Sequence, residues 1–192
     1  EISLGEKALS QFENQPIIDA SKLLADARVH AISWNGTSSG WLGFDADKKL
    51  CKEITEETGI PASTSVLALN EIFEKTGVKR FGLVTPYLDE IQEKVIETYA
   101  SEGFECVSER HLRDKGNFSY SEVSEELIAN MVREVAKDKP EAITIFCTNL
   151  HGASIVDELE KETGIPIYDT VSTSVWKAMK QAGADPTLVK GW

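Results

Sequence analysis

The pentapeptide Glu-Thr-Gly-Ile-Pro occurs twice in this chain, at 57–61 and again at 162–166. Its surroundings repeat with it. Before the first copy come a short apolar run, Val29–Trp34, the segment Asn35-Gly36-Thr37-Ser38, and a helical stretch, Lys48–Glu57. Before the second come Ala142–Phe146, Cys147-Thr148-Asn149, and a helical stretch, Gly152–Glu162. Each copy leads on to a further helix, Ser63–Thr76 or Val171–Gln181, with a glycine soon after it. A repeated order of elements constrains the fold far more than five repeated letters do. It predicts two similar halves facing each other about a pseudo-two-fold axis.

Between the copies the alternation continues. Arg80–Thr85 reads as a buried strand, Leu88–Ser101 as an amphipathic helix, Phe104–Ser108 as a strand and about 122–137 as a helix; Ile165–Tyr168 follows as the last strand. Strands separated by helices pair in parallel, so the fold class is α/β, with parallel sheets flanked by helices and a site between the halves. The whole chain, 1–192, is expected to be one unit, with 1–78 plus 166–192 and 79–165 as its half-domains. Gly36–Ser38 and Cys147–Asn149 both follow carboxyl ends of parallel strands, where open α/β sheets bind ligands.

Composition narrows the partners. The 20 Lys and Arg against 32 Asp and Glu leave a net charge of −12. That excludes a basic footprint for nucleic acid and adhesion to anionic membrane surfaces. No apolar run is long enough to span a bilayer. The three cysteines, Cys51, Cys106 and Cys147, form no CxxC pair and cannot all pair with one another, which points to reduced thiols and a cytoplasmic setting. Scattered histidines offer no metal set, so no metal is expected. Aromatic residues near the first motif leave a homodimer open.

Cys147 is the foremost chemical candidate. Placed between a strand and a helix, it is expected to feel a helix dipole and free N–H groups that favour thiolate; the plainer reading is a buried packing cysteine. Thr37 and Ser38 bring hydroxyls without cations, fit to donate to a carboxylate or enediolate, or merely to form a turn. Tyr87, after Thr85-Pro86, can reach the same mouth or cap the core. Asn117 reads locally as a turn residue. Cys51 and Cys106 read as packing residues, and His151 as a surface histidine.

With those residues in place, the chain resembles the aspartate/glutamate racemase superfamily, nearest its arylmalonate decarboxylase and maleate cis–trans isomerase branch. The resemblance runs from about Leu23 to the C-terminus. Its carriers are FCTNLHGASIVDELEKETGIPIYDT with the following VSTSVWKAM, the TPY at 85–87, and GTSSG at 36–40. It implies a pseudo-symmetric α/β pair working without cofactor on a small carboxylate or dicarboxylate. It assigns Cys147, Thr37, Ser38 and Tyr87 to catalysis and Gly36, Thr148 and Asn117 to substrate binding. Racemases and isomerases of this group carry a cysteine in each half; here Gly36 stands at the first position, as in the decarboxylases. Family chains also begin with a strand and polar loop that are not found after Glu1, so the unit is expected to lack its N-terminal strand.

One thiol opposite a glycine suits decarboxylation, which needs a single proton donor once an enediolate has formed. The alternatives are a maleate-type isomerase or Asp/Glu-type racemase that pairs Cys147 with another group, and a non-catalytic module that binds small acids.

Overall fold

A computed structural model describes residues 2–5 and 12–188. Helix α1 (Asn14–Asp26) leads into β1 (Ile32–Trp34), the one-turn α2 (Ser39–Leu42), α3 (Phe44–Thr58), β2 (Ala62–Thr64) and α4 (Ser65–Thr76). There follow β3 (Arg80–Thr85), α5 (Asp89–Ser101), β4 (Glu105–His111) and α6 (Glu125–Ala136). The chain closes with β5 (Ala142–Ile145), α7 (Val156–Thr163), β6 (Ile167–Asp169) and α8 (Thr170–Gln181). Among the described residues every strand pairing is parallel. β1 and β2 form one sheet; the other has the order β4-β3-β5-β6.

The repeat has a common geometry. Gly59 and Gly164 end α3 and α7 with φ of 70° and 69°, a left-handed cap that side chains with a Cβ resist. In both copies the preceding threonine, Thr58 or Thr163, donates back to the helix at 2.7 Å and accepts the following isoleucine N–H at 3.2 Å. In both, the proline carbonyl accepts from the first strand: Ile32 N–H to Pro61 at 3.0 Å, Ile143 N–H to Pro166 at 2.8 Å. Trp34 is therefore paired with Thr64 as Ile145 is with Asp169. That register makes Gly36 the counterpart of Cys147. The halves differ in extent, because β5 is flanked by β3 as well as β6, whereas β1 has β2 as its sole partner among the described residues.

Sequence reasoning starts a helix at Ser63, but Ala62–Thr64 is a strand and the helix begins at Ser65. The segment has no apolar run to announce it; buried Ser63 and Thr64 hydroxyls fill its place in the interior. Helix α1 also escapes the pattern, with Ile18 and Ser21 as its buried residues.

The helices α4 and α8 pack on each other between the sheets, and α8 also touches β1 and β2. Glu71 of α4 binds Lys177 and Lys180 of α8, the latter at 2.9 Å. Ser33 and Ser174 hydroxyls meet at 2.6 Å, and Thr173 donates to the Ser65 carbonyl at 3.1 Å. The main core lies around the larger sheet. Phe73 packs against Phe81, Phe104 and Tyr168 with ring centroids 5.5–6.0 Å apart. Each such fully buried side chain stabilises the fold by about 1.5–3 kcal/mol. A smaller cluster of Ile18, Ile32, Leu50 and Ile54 holds α1 and α3 to β1. Of the apolar residues near the first motif, Trp41 and Phe44 are buried, Trp34 is half-buried and Leu42 is exposed. No helix among the described residues is long and apolar enough to cross a membrane.

Candidate active site

Where the carboxyl ends of β1, β3 and β5 converge, a cavity of about 240 Å³ opens. Gly36, Thr37 and Ser38 line it from the loop after β1, Tyr87 from the turn after β3, and Cys147 and Thr148 from the loop after β5. Asn117 reaches it from the segment after β4. All seven residues expected from the sequence thus border one cavity. His151 is exposed and stands outside the lining, while Cys51 and Cys106 sit half-buried in α3 and β4.

The GTSSG loop is shaped by close packing. Thr37 and Ser38 are buried, and the chain turns at once into α2. Gly40 lies against Phe146: a Cβ there would come within 2.7 Å of the phenyl ring. The glycine lets the hydroxyl-bearing loop settle onto the residue just before Cys147. Thr37 Oγ1 and Tyr87 Oη are 2.7 Å apart, with either able to donate. Tyr87 is held by edge-on contacts with Trp41 at 5.3 Å and Tyr120 at 5.9 Å. Burial pushes its phenol well above the ordinary range, so it stays a neutral donor.

Cys147 departs from expectation. It precedes not a helix but an irregular loop; a 3₁₀ turn at Ala153–Ile155 intervenes before α7 begins at Val156. The N-terminus of α7 therefore does not adjoin the sulfur. Burial pushes the thiol up to about 11, opposed by the N–H groups of Asn149 and Leu150 and by the Tyr87 hydroxyl. The direction is opposite to the expected thiolate: at neutral pH this is a protonated thiol, held among donors that would receive the charge when the proton leaves.

Across the mouth, Asn149 Nδ2 donates to both the side-chain and backbone oxygens of Asn117, at 2.8 and 3.0 Å. Sequence reasoning missed Tyr120, a buried residue of a 3₁₀ turn whose hydroxyl donates to the Asp114 carbonyl at 3.1 Å. A lone aromatic in an irregular segment carries no periodic signal. Trp34, Trp41, Ile2 and Phe12 complete the apolar part of the lining. The described lining carries no charged side chain, so a carboxylate entering it would meet hydroxyls, amides and backbone N–H groups rather than cations. Among the described residues no group of three or more His, Cys, Asp or Glu could hold a metal ion.

Two parallel sheets sharing a cavity at their strand ends, lined by a thiol and by the glycine at its equivalent register, define a pseudo-symmetric α/β protein. Residues 5–191 match the family model described as arylmalonate decarboxylase, and the chain belongs to that family. It is 24% identical over 181 residues to the arylmalonate decarboxylase of Bordetella bronchiseptica, covering 93% of this chain and 75% of the relative. It is 22% identical over 172 residues to a maleate isomerase of Pseudomonas putida, covering 86% and 69%. A crystal structure of arylmalonate decarboxylase shares the fold with a TM-score of 0.80 at 23% identity, over 94% of this chain and 78% of that one. A Nocardia farcinica maleate cis–trans isomerase mutant, holding a covalently bound succinylcysteine intermediate, does so with a TM-score of 0.85 at 19% identity, over 95% and 77%.

Proposed function

We propose that this chain is a cofactor-independent decarboxylase of a small malonate-type acid, with Cys147 as its proton donor. The observation that carries this reading is that the buried Cys147 thiol shares one cavity lining with Gly36, Thr37, Ser38 and Tyr87. As the bond to one carboxylate breaks, CO₂ leaves and the electron pair moves into an enediolate on the other. Ser38 and whichever of Thr37 and Tyr87 does not donate to the other give hydrogen bonds to its oxygens, a type of interaction that strengthens as charge develops. The Sγ–H of Cys147 then protonates the α-carbon on one face, and the thiolate regains a proton from solvent. Thr148 and Asn117, the latter held by Asn149, border the mouth and bind substrate. The apolar side chains at the lining disfavour the charged carboxylate and favour its loss as neutral CO₂.

Isomerisation by thiolate addition would call on the form of Cys147 that burial disfavours, and two-base racemisation would need a second acid where Gly36 stands. Both are less well supported here. We take 79–169 as one half-domain and 1–78 with 170–192 as the other, because α8 lies against β1 and β2 whereas β6, placed by the sequence with the first half, pairs with β5. The unpaired cysteines suit a reducing, cytoplasmic setting.

The test is turnover of a 2-aryl-2-methylmalonate in D₂O. The expected result is CO₂ release with a single deuterium delivered to one face of the product. Conversion of maleate to fumarate, or α-exchange of a monoacid without CO₂ release, would overturn the reading.

A further inference from the structure

Asp169 ends β6 and is fully buried. Its Oδ1 accepts the N–H groups of Val171 at 2.8 Å and Ser172 at 3.3 Å, capping α8. Its Oδ2 is buried too and has no hydrogen-bond partner, donor or acceptor, among the described residues. A carboxyl oxygen left in that condition is costly to the fold.

The first half meets the same structural need differently. Thr64 occupies the equivalent register at the end of β2 and caps α4 with a hydroxyl, accepting the Leu67 N–H at 3.1 Å. The same hydroxyl donates to Asp47 and is fully used. A hydroxyl therefore suffices for the cap. The carboxyl stands in the half that carries the thiol: its neighbour β5 runs on to Cys147, while β1 runs on to Gly36. Its stranded oxygen faces the loop that follows Cys147. A Cβ built on Gly152 would lie 2.7 Å from Oδ2, so it is glycine that lets the loop come down upon it.

We infer that Asp169 is a positioning residue for Cys147, packed neutral against Gly152 of the loop that follows the thiol and, once ionised, setting near it a negative charge that suppresses its deprotonation. Burial pushes the carboxyl up to about 7, while the Val171 and Ser172 N–H groups pull it down. Its charge is also among the influences that raise the Cys147 thiol. Around Asp169, α8 presents those two N–H groups, β5 presents Ile145, and the loop presents Gly152 and the titratable Cys147. Around Cys147 the remaining titratable groups are the phenols of Tyr87 and Tyr120, both raised by burial and neutral in this range. Asp169 is thus the neighbour whose charge changes near neutrality.

The inference rests on Cys147 as the group that moves the proton, but its test reads the thiol without substrate. Alkylation of Cys147 by iodoacetamide, followed by peptide mass spectrometry across the pH range, is measured for the wild type, Asp169→Asn and Asp169→Thr. Asparagine keeps an oxygen for the cap and stays neutral; threonine copies the cap of the other half. In the wild type the logarithm of the rate should rise less steeply while Asp169 ionises, over about pH 6 to 8. Both variants should rise with unit slope throughout and react about tenfold faster than wild type at about pH 9, the scale of one nearby charge in a partly screened site. Superimposable profiles would overturn the inference. So would a uniform change at every pH, which marks a structural effect alone. Should the asparagine variant fail to fold, the threonine variant decides by the same criterion. Should Cys147→Ala retain turnover, the proposed function falls while the alkylation comparison still reads the coupling.

Discussion

Thr37 and Tyr87 share a hydrogen bond of 2.7 Å, although one follows a strand of the small sheet and the other a strand of the large one. The bond joins the two halves at the cavity wall and aligns two hydroxyls toward one space. Tyr87→Phe keeps the ring contacts with Trp41 and Tyr120 and removes a single donor. Turnover is expected to fall about 10²-fold, the usual scale for losing one oxyanion donor. Stability should fall by about 1–2 kcal/mol, because the buried Thr37 hydroxyl is left unpaired. Steady-state rates and thermal melting of the same preparation check both.

Gly36 stands at the register of Cys147, but Trp34 covers it. A Cβ at position 36 would lie 2.6 Å from the indole Nε1. Gly36→Cys is therefore expected to displace that ring, at about 1–3 kcal/mol of stability. With Trp34→Leu added to make room, the new thiol faces Cys147, and decarboxylation should lose stereochemical purity because either face can be protonated. Chiral chromatography of products formed in D₂O reads the outcome. Unchanged purity in a folded variant whose new thiol can be alkylated would mean that the two strand ends do not serve one substrate.

Glu71 joins α4 to α8 through Lys177 and Lys180. Burial alone would raise its carboxyl, but the hydrogen bonds and charges of the two lysines outweigh it and hold the group down to about 2. A carboxyl depressed in the folded state stabilises above its unfolded value of 4.5 and loses that contribution as pH falls toward 2. Glu71→Gln should cost about 1–3 kcal/mol at neutral pH, a deficit that shrinks from about pH 4.5 downward and vanishes only below about pH 2. Denaturant unfolding of both proteins at several pH values tests the sign: an equal deficit at every pH would rule out the charge as its source.

Much of this architecture is legible in the sequence because ETGIP encodes geometry. Its glycine must take a left-handed φ, its threonine must tie helix end to turn, and its proline carbonyl must meet the neighbouring strand. Finding it twice locates both sheets and equates Gly36 with Cys147. Where chemistry depends on burial rather than spacing, the sequence is silent. Ala62–Thr64 is a strand filled by hydroxyls, so no hydrophobic pattern marks it. The helix expected from Gly152 begins only at Val156, so the supposed dipole at Cys147 gives way to a burial effect of opposite sign. Tyr120 and the stranded oxygen of Asp169 emerge only when the segment after β4 and the end of β6 are packed in place.

The central claim is that Cys147, and no other thiol, delivers the proton. Cys51 and Cys106 are half-buried in α3 and β4, and neither borders the cavity that Cys147 lines. The most direct measurement is CO₂ release from a 2-aryl-2-methylmalonate by the wild type and by Cys147→Ala, Cys51→Ala and Cys106→Ala, each shown by circular dichroism to be folded. The account predicts a loss of about 10³-fold or more for Cys147→Ala, the upper range for removing a positioned proton donor, and near wild-type rates for the other two. A folded Cys147→Ala variant that releases CO₂ at the wild-type rate would contradict it.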